Sequence, residues 1–101
     1  VATATYRPEL DLVAVTAEGE VVASALGWFD EGSRSVLLEP VGTAPAHSGR
    51  GLARALCAQI LRVARSLGAR ECVVGPRGDD AYPLPRRLYA GLGMREVGQR
   101  D

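Results

Sequence analysis

The stretch PAHSGRGLARAL, Pro45 to Leu56, sets two glycines around an arginine where the chain turns helical. Beyond it Leu52, Leu56, Ile60, Val63 and Leu67 recur at helical steps, and Gly68 supplies a C-terminal stop, so the spacing predicts a helix starting at Gly51. Glycine inside a helix costs roughly 1 kcal/mol relative to alanine, so Gly49 and Gly51 at its entrance call for a physical reason. Close approach of another group to the backbone is one such reason. A helix start presents free amide N–H groups and the positive end of the helix dipole, an anion site suited to phosphate.

The elements around this helix follow by the same reasoning. Upstream, DLVAVTAEGEVVASALGWFD reads as a hairpin, with strands over 11–16 and 20–29 and turn chemistry at Glu18-Gly19. In the second strand Val22, Ser24, Leu26 and Trp28 share one face, and Val21, Ala23, Ala25, Gly27 and Phe29 the other. Both faces are apolar or small, which predicts a sheet covered on both sides. Asp30 to Ser33 is a second turn, and RSVLLEPVGTAP is a third strand. Pro40 has no N–H to give a ladder, so regular pairing is expected to fail near residues 40–42 and the strand to splay from its neighbour. After the long helix, ECVVG is a short buried strand reached by a minimal connection, hence parallel to the strand before the helix. GPRGDDAYP is loop, Pro85 opens a second helix running to Leu92, and MREVG is a last strand. The order is three antiparallel strands, helix, strand, helix, strand, an α/β (α+β) chain with a mixed sheet.

Length and composition narrow the function. The 101 residues form one domain, 47% hydrophobic, with no apolar run long enough to span a bilayer. No signal-like segment opens the chain, so a soluble, cytoplasmic protein is expected. All twelve basic residues are arginine and the formal net charge is zero, which leaves no electrostatic case for nucleic acid or an acidic membrane surface. Cys57 sits in a helical pattern and Cys72 in a strand-like run. Without a CxxC pair and with a single histidine, they read as buried free thiols, with neither a metal site nor a disulfide scaffold.

Three phosphate-binding patterns can be tested against the glycines. A P-loop requires Gly-Lys-Ser/Thr, and the chain contains no lysine. A dinucleotide fingerprint requires GxGxxG, but Arg54 stands where the third glycine belongs, and Glu71 opens its strand instead of closing it. The third pattern matches closely. VGTAP followed by Ser48-Gly49-Arg50-Gly51-Leu52-Ala53 resembles the central Arg/Gln-x-x-Gly-x-Gly/Ala motif of the GNAT acetyltransferase superfamily. Its second signature, an Ala-x-x-Leu-Tyr helix ending in Gly-Phe, is similar to Pro85-Arg86-Arg87-Leu88-Tyr89 with Gly93-Met94. The resemblance runs from residue 11 to about residue 98.

The resemblance implies a GNAT-like acyl-CoA N-acyltransferase fold with a splayed strand pair, using acetyl-CoA as cosubstrate and a small-molecule or peptide amine as acceptor. The pantetheine arm would lie like a substitute strand against backbone groups of Val41 and Thr43. The pyrophosphate would sit over Ser48, Gly49, Arg50, Gly51, Leu52 and Ala53, with Arg50 and Arg54 adding charge-assisted contacts. The implied chemistry is direct attack of an amine on the thioester. Glu39, expected to be buried among Leu37, Leu38 and Val41 with a raised pKa, is the candidate base, and it reads equally as a carboxylate paired with an arginine. Tyr89 matches the family tyrosine that protonates the departing thiolate, against a half-buried core tyrosine. His47 reads as a loop residue and Tyr82 as a fallback acid. Trp28 and Phe29 line the core or the acceptor pocket, while Arg54, Arg62 and Arg65 form a solvated helix face.

Three departures qualify the resemblance. Ser48 replaces the motif's Arg or Gln and is expected to cap the helix with its hydroxyl. Asp80 stands near the usual asparagine. The helices that precede the first hairpin in the family, which build the acceptor pocket, and the closing strand are expected to be lacking. These leave room for an alternative, a non-catalytic CoA-binding or interaction module from a larger or tandem protein. They also suggest a homodimer that covers the open sheet edges.

Overall fold

The computed structural model describes residues 6–74 and 86–98. Tyr82, Asp80, Pro85 and the loop over 75–83 lie outside the described residues. Five strands form one sheet in sequential order: β1 (Asp11–Val15), β2 (Val21–Asp30), β3 (Ser35–Thr43), β4 (Glu71–Val74) and β5 (Arg95–Gly98). The first three pair antiparallel, and β3–β4 and β4–β5 pair parallel. The mixed sheet and the element order thus match the sequence reading, with strand ends displaced by one or two residues.

One long helix, α1 (Leu52–Leu67), connects β3 to β4, and a short helix, α2 (Arg86–Ala90), precedes β5. Gly68 ends α1 in the left-handed region at φ 115°, and its N–H reaches the carbonyls of Ala64 and Arg65. The buried side of α1 is Ala53, Cys57, Ala58, Ile60, Leu61 and Ala64, while Leu52, Leu56, Val63 and Leu67 are only half-buried. The leucine stripe therefore flanks the contact. Ile60 and Leu61 stand at its centre between smaller residues, and the helix lies close on the sheet: a Cβ built on Gly27 of β2 would stand 2.7 Å from Ile60 Cγ2. Larger side chains on that line would force α1 outward. Leu10, Val36, Cys57, Ile60, Leu61 and Cys72 are the largest fully buried side chains.

Two bulges decide which residues face α1. Ala14 pairs with Ala23 but Val15 pairs with Val21, leaving Val22 as the extra residue. The alternation expected for β2 holds from Ala23 to Phe29, but Val22, grouped with Ser24 by the sequence, is buried like Ala23, and Val21 is exposed. The second bulge lies in β3. Ala25 pairs with Val41 and Gly27 with Leu38, so Glu39 and Pro40 together oppose Leu26. The failure of pairing expected near Pro40 is present at Glu39–Pro40, and Gly42 is back in register with Ser24.

The expectation of a sheet covered on both faces is corrected. Among the described residues the helices cover one face only. On the other, Leu26, Trp28 and Leu37 are half-buried, and Val13, Val15 and Val21 are more than half exposed. An apolar residue in a strand need not be a covered one.

Candidate active site

The site starts from the β3 bulge. Pro40 offers no donor, so the ladder with β2 is interrupted there, and the indole N–H of Trp28 donates to the Glu39 carbonyl at 2.9 Å. Trp28 therefore pins the bulge, a role the sequence did not reveal because nothing local links residues 28 and 39. The extra residue also resets the strand's alternation. Leu38 before the bulge and Val41 after it both pack towards the core.

Beyond Leu37, β3 runs on to Thr43, while β4 is described to Val74. Pairing of β3 with β4 is confined to Ser35–Glu71, Val36–Cys72 and Leu37–Val73 among the described residues. The free edge of β3 has a defined polarity. Ala44 N–H donates to Val22 O at 2.8 Å, towards β2. Backbone groups alternate sides along a strand, so Gly42 faces β2 as well, and the N–H and C=O of Val41 and Thr43 face away from β2.

β3 leads through a single 3-10 turn, Pro45–His47, to the start of α1. Gly49 and Gly51 are both left-handed, at φ 83° and 76°, and a Cβ on either would meet nothing within 4 Å. The first backbone hydrogen bond of the helix is Ala55 N–H to Gly51 O at 3.0 Å. No amide from Gly49 to Arg54 donates to a backbone carbonyl among the described residues, and no acidic side chain occupies the first turn. Left-handed glycines in such a turn point successive N–H groups one way, and the dipole of a 16-residue helix adds to them. The arrangement suits a phosphate or diphosphate. Arg50 and Arg54 are exposed beside it.

Several expected roles change. Ser48 does not cap α1: Gly51 is the N-cap residue, and the Ser48 hydroxyl donates to Pro45 O at 3.0 Å. Glu39 is not buried. Its side chain is exposed, because it alternates with Leu38 and so turns to the face away from α1. Arg65 is not solvated with Arg54 and Arg62; its Nε donates to Leu92 O at 2.9 Å and ties α1 to the turn after α2. His47 is half-buried within the 3-10 turn.

Tyr89 is buried in the main core cluster, and its hydroxyl donates to the Glu96 carboxylate on β5. That hydrogen bond, followed by burial, pushes the phenol above its ordinary range. The partner Glu96, seven residues away across the helix–turn–strand, carried no signal in the sequence. Burial pushes the thiols of Cys57 and Cys72 up to about 11 and about 12. The native chain is accordingly expected to leave Ellman's reagent unreacted at pH 8, and to titrate two thiols once denatured. No group of metal-ligating side chains occurs among the described residues, and no helix there is long and apolar enough to cross a membrane.

The chain spans between 30% and 66% of the length of three similar solved structures. Nourseothricin acetyltransferase is 29% identical with a TM-score of 0.54, over 57% of this chain and 34% of that one. A tandem GNAT protein from the clavulanic acid biosynthesis pathway is 20% identical with a TM-score of 0.54, over 87% and 30%. The GNAT family N-acetyltransferase YhbS from Escherichia coli, solved in complex with CoA, is 18% identical with a TM-score of 0.53, over 89% and 66%. No curated protein matches the sequence. The family model for the acetyltransferase (GNAT) family matches residues 3–94, nearly the whole chain. With its parallel β3–β4 pair, bulged β3 and glycine-led α1, the chain belongs to the GNAT acetyltransferase family.

Proposed function

We propose that the chain binds acetyl-CoA along Val41–Ala53 and transfers its acetyl group to a primary amine. The observation that carries this reading is the continuity of one binding path. The outward backbone groups of Val41 and Thr43 lead, through the 3-10 turn Pro45–His47, to the unpaired amides at the start of α1. A pantetheine arm would pair with the first, and its diphosphate with the second.

A free alkyl amine is mostly protonated at neutral pH and must lose a proton before it can attack. Glu39, exposed at the bulge, is the proposed acceptor of that proton, directly or through water. The neutral nitrogen then attacks the thioester carbonyl carbon. The C–N bond forms, the C–S bond breaks, and the sulfur takes a proton from the Tyr89 hydroxyl; the proton shed by the new amide nitrogen passes to water, and solvent restores the phenol. Products are the acetamide and free CoA.

A second reading, CoA binding without catalysis, draws support from Ser48, whose hydroxyl is turned back on Pro45. Thermal denaturation separates binding from chemistry. At about 100 times Kd, acetyl-CoA should add roughly 2.7 kcal/mol of stability, a rise of about 10 °C or more for a chain this size. Gly51→Val should abolish that rise, because the position is left-handed and a side chain would crowd the amides. Stabilisation by NAD and not by acetyl-CoA would end the proposal. Acetyl-CoA binding with no thiol released across a panel of amines would favour the non-catalytic reading.

A further inference from the structure

Trp28 is the chain's single tryptophan, and it stands on the sheet face turned away from α1, opposite Leu37. β1 begins at Asp11, opposite Leu26, so no residue of that strand pairs with Trp28. Tyr6, just ahead of the 3-10 turn Pro8–Leu10, takes that place. Its ring meets the indole edge-on with centroids 6.4 Å apart, and its hydroxyl donates to Asp11 Oδ2 at 2.6 Å. Supported from the β1 side, the indole reaches along β3 past Leu37 and donates its N–H to the Glu39 carbonyl at 2.9 Å. A line of contacts from β1 across β2 therefore ends on the backbone of the β3 bulge.

The bulge sets the direction of every backbone group that follows it. Were β3 regular beyond Leu38, Glu39 would oppose Leu26, Pro40 would oppose Ala25 and Val41 would oppose Ser24. Val22 and Ser24 face β3, since Ala44 N–H donates to Val22 O and groups alternate along the strand. A regular β3 would therefore turn the N–H and C=O of Val41 and Thr43 to β2. The inserted residue reverses this: Val41 opposes Ala25, and its backbone groups, with those of Thr43, face away from β2. Pro40 has no N–H with which a ladder could hold the insertion. The Val41 side chain, packed on the core, holds it from one side of the sheet, and the indole N–H from the other.

Resting on the acetyl-CoA reading above, we propose that Trp28 is a positioning residue for the coenzyme. Through the Glu39 carbonyl, its indole N–H keeps β3 in the bulged register, the one in which Val41 and Thr43 can hydrogen-bond a pantetheine arm. The indole acts through the backbone, from the sheet face opposite α1. A site formed in only one of two registers binds more weakly by the fraction of chains that hold it. One net hydrogen bond corresponds to about a fivefold shift in such an equilibrium. The coupling is reciprocal: a coenzyme that requires the bulged register tightens the indole bond by the factor that the bond tightens its binding.

Because the chain has one tryptophan, building it with the benzothiophene analogue, which carries sulfur in place of the N–H, removes this donor alone and keeps the ring. In that chain the Ala44 amide, bonded to Val22 O, should exchange with solvent about fivefold faster, while amides within α1 are unchanged. Calorimetric titration should give acetyl-CoA a Kd about fivefold weaker. The native chain supplies a third reading that needs no variant. Its indole N–H gives a single NMR signal, and exchange of that proton should slow by about fivefold at saturating acetyl-CoA, a response that a purely structural hydrogen bond does not give. Unchanged exchange at Ala44 in the analogue chain, equal Kd values for the two chains, or an indole exchange rate indifferent to acetyl-CoA overturns the proposal. If acetyl-CoA binds neither chain, the acetyltransferase reading falls instead, and exchange at Ala44 still decides whether the indole holds the register.

Discussion

Ile60→Ala is expected to lower the unfolding free energy by about 2–5 kcal/mol, a large share of the stability of a small domain. Ile60 is fully buried and its Cγ2 lies where a side chain on Gly27 would be. Gly27→Ala should therefore be costly by itself, by about 1–3 kcal/mol, because its methyl would be forced against Ile60 and Val36. The two changes should couple. On the Ile60→Ala background the Gly27 methyl enters space the isoleucine has left, so the double variant should be more stable than the sum of the single ones predicts. Urea denaturation of the four proteins measures this. Additive losses would mean that α1 and β2 do not meet through this pair.

Tyr89→Phe should reduce kcat for thiol release by about a hundredfold or more, the usual scale for loss of a positioned acid, while the thermal shift with acetyl-CoA stays unchanged. The fold should tolerate the change. The lost hydroxyl faces Glu96, which is exposed and stays solvated, while the ring keeps its place in the core. The hydroxyl's engagement shapes what it can do. In the resting chain its proton is held by a carboxylate, and giving it to sulfur means turning it away from a charge-assisted bond. The same bond keeps the phenol protonated at neutral pH. Since the folded pKa is raised above the unfolded value near 10, this contribution to stability is complete below pH 10 and fades as pH climbs through the folded value. An unchanged kcat in Tyr89→Phe would make Tyr89 a core residue and transfer the acid role elsewhere.

Much of the architecture was written in local patterns. The helical recurrence from Leu52 to Leu67, the stop at Gly68, the turn at Gly19 and the break at Pro40 each depend on neighbours within a few residues, so they are legible in one dimension. The two glycines before α1 marked an irregular helix start for the same reason: a positive φ is a local demand that glycine meets. What resisted reading is whatever depends on register. Which of Val21 and Val22 is buried turns on a bulge between strands, and the exposure of Glu39 turns on the alternation around another. The partners of Trp28, Arg65 and Tyr89 lie eleven, twenty-seven and seven residues away. Composition and spacing thus determined the elements, their order and the glycine-led start of α1. Only the tertiary structure decided which face of the sheet the helices cover and which polar groups meet, because a single inserted residue moves every later side chain to the opposite face.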